Sequence, residues 1–303
     1  IGYGVQKKSD VTGAIASVKD SDLENRTTAD LAQALQGKAA GVQIINSSGA
    51  PGAASAIQIR GYSSNSKTSP LMIVDGLKVN DISYLDPESI ASIEILKDAA
   101  SAAIYGVEAG NGVVLITTKR GKAGEAKFTY DGMFAVSQQN VRVDMMNLRE
   151  YAEFYNELIS IGEIYDANAY YTDPSILGVG TNWQDAIFQT ALQHQHQISA
   201  SGGTDKVQYY VSGSYMDQDG TIIGSNFERF SVRTNLDAQL KKWLKLGVNA
   251  TYSNTIDDLK LADGEAGIVF SSLNSLPDIP IYDVDGNFTS EVREGLGARV
   301  NPI

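Results

Sequence analysis

The chain has 303 residues, no cysteine, and 36 acidic against 24 basic side chains, which gives a net charge of −12 at pH 7. The acidic balance argues against a nucleic-acid binder, which presents a basic surface, and the lack of cysteine excludes disulfides and thiolate metal sites within the chain. The longest apolar runs fall far short of the ~18 residues that a membrane helix needs, whereas membrane β-strands are short and only half apolar.

The first part of the chain, about 120 residues, is typical of a small mixed α/β domain. A helix is predicted from Asp30 to about Lys38, with Thr27 and Thr28 as candidate caps. A turn is predicted at Asp75-Gly76. Predicted strands occupy 13–18, 41–45, 56–61, 71–74, 92–98 and the apolar run within 110–121.

The hydrophobic period changes after Gly121, because the ordered segments that follow alternate apolar and polar residues. In the clearest of them, Phe230 and Val232 oppose Arg229 and Arg233. Such alternation indicates strands with one wet face and one apolar face, in a soluble sandwich or in a membrane barrel. The alternating segments are 126–136, 196–201, 206–216, 229–240 and 245–253.

The connections between these segments favour the barrel. Residues 202–205 and 241–244 are short turns, while 137–192, 217–227 and 255–303 are long. Tight turns at one rim and long loops at the other are typical of outer-membrane barrels. Within the first long loop, 146–158 has the spacing of an amphipathic helix. We expect it to pack on the barrel mouth, with direct ligand contact as the alternative.

The chain resembles the SusC/RagA-type TonB-dependent outer-membrane transporters of Bacteroidetes over essentially its whole length. The resemblance is most specific in six blocks of the first 120 residues or so, and it continues downstream at 182–185, 199–203 and 217–220. The six blocks are LQGKAAGVQ (35–43), IQIRG (57–61), IVDG (73–76), IASIEILKDA (90–99), AIYG (103–106) and NGVVLITTK (111–119).

The resemblance implies an α+β plug domain followed by antiparallel transmembrane strands, the N-terminal part of a 22-stranded barrel. Residues 1–25 would follow the TonB box, 26–121 would form the plug, and 122–303 would form the first barrel strands and extracellular loops, an incomplete barrel. Ile1-Gly-Tyr-Gly4 resembles the residues just after the box, which places TonB binding upstream of Ile1.

The resemblance also implies partners. A SusD-like surface lipoprotein would capture a glycan or peptide ligand, TonB would pull on the plug, and the wall would contact outer-membrane lipid. A higher-order assembly of two SusC-type and two SusD-type subunits is expected. No cofactor, metal or catalytic residue and no nucleic-acid partner is predicted.

Two sets of site residues are predicted. Charges on plug strands would seat the plug in a polar lumen, with ordinary surface ion pairs as the alternative: Arg60, Glu94 and Lys97. Polar, small residues of two plug loops would face the ligand, with simple capping of sheet ends as the alternative: Ser47, Ser48, Ser63, Ser64, Asn65 and Lys67.

Other chemistry is weakly supported. The glycine-rich stretch 106–112 lacks the phosphate-binding pattern and is better explained as a turn into a strand. His194 and His196 could share one strand face, but two imidazoles without carboxylate support rarely bind a metal.

These features predict TonB-dependent active import of a glycan or oligopeptide. The alternatives are an outer-membrane receptor or signal transducer of the same fold and a soluble β-rich binding protein.

Overall fold

The computed structural model describes residues 15–23, 28, 30–46, 48–59, 69–98, 103–163, 171–260, 267–289, 292–293, 297–298 and 301–302. The chain divides into two compact units. The first covers 1–135, 193–218 and 227–257, and the second covers 136–192, 219–226 and 258–303.

Residues 15–121 of the first unit, here called the N-terminal domain, are built on a five-stranded sheet of order β1-β6-β7-β4-β5. Strand β4 runs parallel to β7, and the other neighbours are antiparallel. Strands β2 (Val42–Ile45) and β3 (Ala56–Ile59) form a separate antiparallel pair. The sheet strands are β1 Ile15–Lys19, β4 Leu71–Val74, β5 Leu77–Val79, β6 Ile90–Leu96 and β7 Val113–Thr118.

The helices of this domain are short. Helix α1 spans Asp20–Leu23 and α2 spans Leu31–Ala34. Single turns of 3-10 helix occupy Pro87–Ser89, Ala103–Tyr105 and Val107–Asn111.

The cap predicted for α2 differs from the observed one. Asp30 is the N-cap, with Oδ1 accepting from the Ala32 amide at 2.9 Å, while Thr27 lies outside the described residues. The helix is also shorter than expected, because residues 35–38 continue as turns and Gly37 adopts a φ of 75°. The other Asp30 oxygen accepts from the Ser55 amide at 2.8 Å, so the cap also holds the chain that leads into β3.

The core of the N-terminal domain lies between α2 and the face of the five-stranded sheet. Leu31 and Leu35 of the helix segment pack in one cluster with Ile93 and Ile116 of the two central strands, and all four are almost fully buried. Burial of each such side chain contributes about 1.5–3 kcal/mol. This domain therefore has the ordinary apolar interior of a water-soluble fold.

Five long strands form a second sheet, here called the long-strand sheet, in sequential order. The five match the alternating segments that the sequence predicted. Four extend beyond both predicted bounds, and β10 begins one residue later and ends three residues later than predicted. Strands β9 and β10 pair antiparallel, from Gln208 opposite Gly203 to Gln218 opposite Gln193. The strands are β8 Gly124–Ser137, β9 Ala191–Gly203, β10 Val207–Asp219, β11 Asn226–Lys241 and β12 Leu244–Asp258.

The three inner strands of the long-strand sheet, β9, β10 and β11, bury their polar face and expose their apolar face. On β11, Arg229 is 3% exposed and Arg233 is 6% exposed, whereas Phe230 is 46% and Val232 is 36% exposed. Soluble sheets show the opposite arrangement, while barrel walls with a polar interior and an apolar exterior show this one. The inverted burial therefore favours the membrane barrel over the soluble sandwich.

The second unit is made of the long connections. Helix α3 (Leu148–Ser160) confirms the predicted amphipathic helix, and its capping box joins Asn147 and Glu150. Helices α4 (Trp183–Ile187) and α5 (Ile268–Asn274) and the short strands β13 (Val292–Arg293) and β14 (Gly297–Ala298) follow. No helix in the described ranges is both long and apolar enough to cross a membrane.

Gly121 joins the N-terminal domain to the long-strand sheet at a point of close backbone contact. A Cβ added to Gly121 would lie 2.3 Å from the Tyr209 carbonyl oxygen and 2.4 Å from its amide nitrogen. Only glycine allows this approach, because backbone atoms of a paired strand cannot move aside.

Gly121→Ala is therefore expected to destabilise the fold by about 1–3 kcal/mol, the usual cost of overpacking. Thermal unfolding of the purified intact protein would measure it. Gly213→Ala on β10 is the matched control, since an added Cβ there meets no described atom within 4 Å. Equal effects of the two substitutions would contradict the prediction.

Candidate functional site

The N-terminal domain meets the long-strand sheet along one face of β11, and both belong to the first unit. Alternate residues of that face each contact the domain from 229 to 237, eight steps along the strand or about 27 Å at ~3.4 Å per step. We call this set the β11 ladder. Its members are Arg229, Ser231, Arg233, Asn235 and Asp237.

Asp86 accepts the first contacts of the β11 ladder. It precedes the 3-10 turn at Pro87 and makes no capping hydrogen bond with its side chain, so the carboxylate is directed elsewhere. Arg229 Nη2 donates to Oδ1 at 2.7 Å, and Oδ2 accepts from Ser214 Oγ at 2.6 Å and Ser231 Oγ at 2.5 Å. The other guanidinium terminus, Nη1, donates to the Ser83 carbonyl at 2.6 Å.

Asp75 accepts the next contact, and its position follows from local turn chemistry. Val74 pairs with Leu77, so Asp75 and Gly76 form a two-residue hairpin with φ of 48° and 87°. Asp and Gly tolerate these left-handed conformations. The carboxylate accepts from the Thr118 amide at 3.0 Å and from its hydroxyl at 2.7 Å. Arg233 Nη2 donates to Oδ2 at 2.8 Å.

The lower part of the ladder holds the end of β7. Asn235 Nδ2 donates to Thr118 Oγ1 at 2.8 Å and to the Lys119 carbonyl at 2.7 Å. Arg120 Nη1 then donates to both carboxylate oxygens of Asp237 at 2.9 Å. This last pair is more than a third exposed and contributes less than the two above it.

The two upper ion pairs are buried, and this burial determines their effect on stability and on the register between domain and wall. The side chains of Arg229, Asp86, Arg233 and Asp75 are at most 10% exposed. A buried pair is weak evidence for net stability, but removal of one partner leaves an uncompensated charge and costs about 3–5 kcal/mol. The pairs therefore fix the register between domain and wall.

The predicted seating charges lie elsewhere. Glu94 is exposed on β6, opposite Ser17 and Leu115, and Lys97 Nζ donates to the Ala40 carbonyl within the N-terminal domain. Arg60 lies outside the described residues. The described contacts of Glu94 and Lys97 lie within the N-terminal domain, and the seating role of the set stays a prediction.

Of the predicted ligand-facing residues, only Ser48 is described; Ser47, Ser63, Ser64, Asn65 and Lys67 lie outside the described residues. Ser48 Oγ accepts from the Ala50 amide at 3.1 Å, a bond that shapes its own turn. Farther along the same loop, the Gly52 amide donates to Gln218 Oε1 at 3.3 Å. The ligand role of this set stays a prediction.

Sequence reasoning missed Asp75 and Asp86 but carried signals for both. Each carboxylate sits in a turn at a strand end, one before glycine and one before proline, where a side chain can reach beyond the sheet. Their partners Arg229 and Arg233 were assigned to the polar face of β11. The missing step was the pairing across more than 140 residues of sequence.

The two histidines lie on the outward face of β9 among aromatic rings. His194 and His196 lie within 6.1 Å, centroid to centroid, of Tyr130 or Phe134, and His194 Nε2 is 3.5 Å from Asp217 Oδ2. Within the ranges that the structure describes, no group of three or more His, Asp or Glu side chains could hold a metal ion.

Comparison with known proteins shows which family this chain is similar to. A family model described as the TonB-dependent receptor plug domain matches residues 7–113. TonB-dependent receptor SusC of Bacteroides thetaiotaomicron is 38% identical over 295 residues, which cover 93% of this chain and 28% of that protein. TonB-dependent receptor P3 of Formosa agariphila is 37% identical over 297 residues, or 95% and 28%.

A solved structure of the RagAB peptide importer in a closed-closed state superposes with a TM-score of 0.79 at 27% identity. The match covers 96% of this chain and 36% of that one. The chain thus spans less than a third of the length of the curated relatives named above. Their names are those of receptors, not of enzymes.

The N-terminal domain is therefore the plug of a TonB-dependent receptor, and the long-strand sheet is the first part of its barrel wall. More narrowly, the chain belongs to the SusC/RagA family of these receptors. The predicted fold class is confirmed. The predicted boundaries at 25/26 and 121/122 stay predictions.

Asp86→Ala leaves the buried Arg229 without its anion and is expected to destabilise the plug by about 3–5 kcal/mol. Urea unfolding of the purified intact protein, followed by hydrogen exchange of plug amides, would measure the change. Lys78→Gln is the control, because Lys78 pairs with Glu108 at the surface and such pairs contribute about 0–1 kcal/mol.

The double variant Asp86→Leu/Arg229→Met should lose less stability than the sum of the single variants, because it leaves no unpaired buried charge. Additive losses, or an Asp86→Ala effect no larger than that of Lys78→Gln, would show that the pair does not act as a unit.

Tyr84 lies close enough to the Arg233–Asp75 pair to be affected by both charges, and it gives a prediction about alkaline pH. Burial raises the pKa of its hydroxyl above 10.0; the Arg233 charge opposes this shift, and Asp75 and Asp81 reinforce it. The tyrosine ionises at a lower pH in the unfolded plug than in the folded plug. The neutral side chain therefore makes its full contribution to the free energy of unfolding below pH 10, and this contribution is lost as the pH rises further.

Tyr84→Phe should therefore flatten the fall in stability above pH 10, measured by thermal unfolding from pH 8 to 11. Tyr282→Phe, at an exposed position, is the control. An unchanged slope in Tyr84→Phe would refute the assignment.

Proposed function

We propose that this chain contributes the plug and first wall strands of an importer that moves a glycan or an oligopeptide across the bacterial outer membrane. TonB would supply the energy by pulling on the segment upstream of Ile1. The observation that carries the proposal is the β11 ladder, in which buried ion pairs hold a folded domain against the polar face of an inverted sheet.

The chemistry of the ladder suits an anchor that stays bound while other parts of the plug move. The side chains of its two upper ion pairs are buried. Separating either pair would leave an uncompensated charge at a cost of about 3–5 kcal/mol.

The outward face supports the location. Phe128, Phe230 and Val232 are large apolar side chains that the sheet leaves exposed, as contact with lipid requires. The outer membrane has no ATP, and the chain has no Walker-type phosphate-binding motif, so energy from the inner membrane through TonB fits the sequence.

The proposed partner is a SusD-like surface lipoprotein that captures the ligand. SusC is among the relatives, and RagAB is titled a peptide importer. These two similarities support a polymeric nutrient without choosing between sugar and peptide. Hydroxyl-rich and amide-rich ligands present the same kinds of hydrogen-bonding group to a polar lumen.

The test is uptake in cells that carry the intact receptor, with a fluorescent maltooligosaccharide and a fluorescent oligopeptide as separate probes. We expect one probe to accumulate only when the receptor, TonB and the proton gradient are all present. Deletion of tonB and addition of a protonophore are the two controls. Receptor-dependent binding of a probe at the surface, with no TonB-dependent accumulation, would favour a surface receptor and overturn the importer.

A further inference from the structure

A polar groove separates the plug from the inner face of β8, β9 and β10. It encloses about 1010 Å³ and lies wholly within the first unit. At ~30 Å³ per water molecule, that volume holds on the order of thirty waters. The plug side of the groove is formed by the start of α1 and by the 3-10 turn before β6, including Asp20, Glu88 and Ala91.

Strand β9 lines the groove with a continuous row of polar side chains. Gln195, Gln197, Ser199 and Ser201 alternate with outward-facing residues such as Ile198, which is exposed. Gln195 and Ser201 are six steps of strand apart, so at ~3.4 Å per step the row is about 20 Å long, most of the ~25 Å height of an outer-membrane apolar band. The groove thus follows the direction in which a solute must travel.

Gln197 is the most informative residue of the row. It is 2% exposed, and its Oε1 atom has no hydrogen-bond partner among the described residues. A buried amide oxygen without a partner costs about 1–3 kcal/mol unless water or a ligand supplies a donor. Its place in the groove lining therefore points to a hydrated site.

The groove lies beside different strands from the ladder. The ladder contacts come from β11, and Ser214 and Gln218 of β10 also bond to the plug. The groove instead faces β8, β9 and the start of β10. Among the described residues, these plug contacts therefore lie on one arc of the wall, and the groove lies beside the adjacent arc.

The lining carries charged groups of both signs: Lys119, Arg120, Lys122 and Lys127, with Asp20, Glu88, Glu125 and Asp131. Arg120 is already paired with Asp237 of the ladder, so three basic and four acidic groups remain. Such a nearly balanced lining focuses only a weak net field on a passing solute. It favours a neutral or zwitterionic solute rich in hydrogen-bonding groups over an anion or a cation.

We propose that this groove is the passage through which a hydrated, uncharged or zwitterionic polar solute crosses beside the plug, along the polar row of β9. The plug withdraws from β9 and widens the groove while the β11 ladder stays bound. The proposal rests on the importer function proposed above and adds which arc of the wall opens.

Cysteine accessibility tests which arc opens, because the chain contains no cysteine. Ser199→Cys places a thiol in the groove, and Ser231→Cys places a thiol of the same size in the ladder. A membrane-impermeant, hydrophilic methanethiosulfonate reagent is the probe, applied to cells expressing the intact receptor with any other cysteines replaced. Labelling rates are compared with and without a protonophore.

The open state is a minor one without energy, so energisation should raise the labelling rate of Ser199→Cys about tenfold or more and leave that of Ser231→Cys unchanged. Label at Ser199→Cys should also block probe uptake, and release by a reducing agent should restore it. Asp205→Cys, in the exposed β9–β10 turn, should be labelled without loss of uptake.

Faster labelling of Ser231→Cys with no change at Ser199→Cys would overturn the proposal, as would full uptake through receptors labelled at Ser199→Cys. If uptake depends on TonB in these same cells, the importer function survives either result. Loss of TonB dependence in the unsubstituted receptor would instead refute the importer function itself.

Discussion

The organisation of this protein depends on two buried ion pairs between a folded plug and a single wall strand. Arg229 with Asp86 and Arg233 with Asp75 satisfy charges that neither part could bury alone. A barrel wall needs a polar inner face, and a plug needs an apolar core of its own, so their shared surface has to be polar. The ladder meets both requirements, because its members carry their hydrogen-bonding groups inward on alternate residues while Phe230 and Val232 face outward.

Much of this architecture could be predicted from the sequence. The alternation along β11 predicted its two faces, and the change of period after Gly121 predicted a second kind of architecture in the rest of the chain. Periodicity alone does not decide which face meets water, so it could not separate a soluble sheet from a barrel wall. That distinction came from connection lengths, from family resemblance and then from the observed burial of the arginines.

The site was less predictable than the fold. The sequence drew attention to charges on plug strands, such as Glu94 and Lys97, whereas the two buried plug–wall ion pairs use carboxylates in turns. Asp75 reaches Arg233 because a hairpin with left-handed dihedrals aims its side chain past the sheet edge, and the two residues lie 158 positions apart. Pairings at such separation depend on the register between two independently formed sheets, which local patterns do not encode.

The inverted burial of the long-strand sheet has a consequence for biogenesis. Strands that expose phenylalanine and valine while burying arginine have no stable folded form in water, so the wall can mature only as it enters an apolar phase. The plug has an apolar core, so it completes its folding in water. Two segments of one polypeptide therefore complete folding in different solvents.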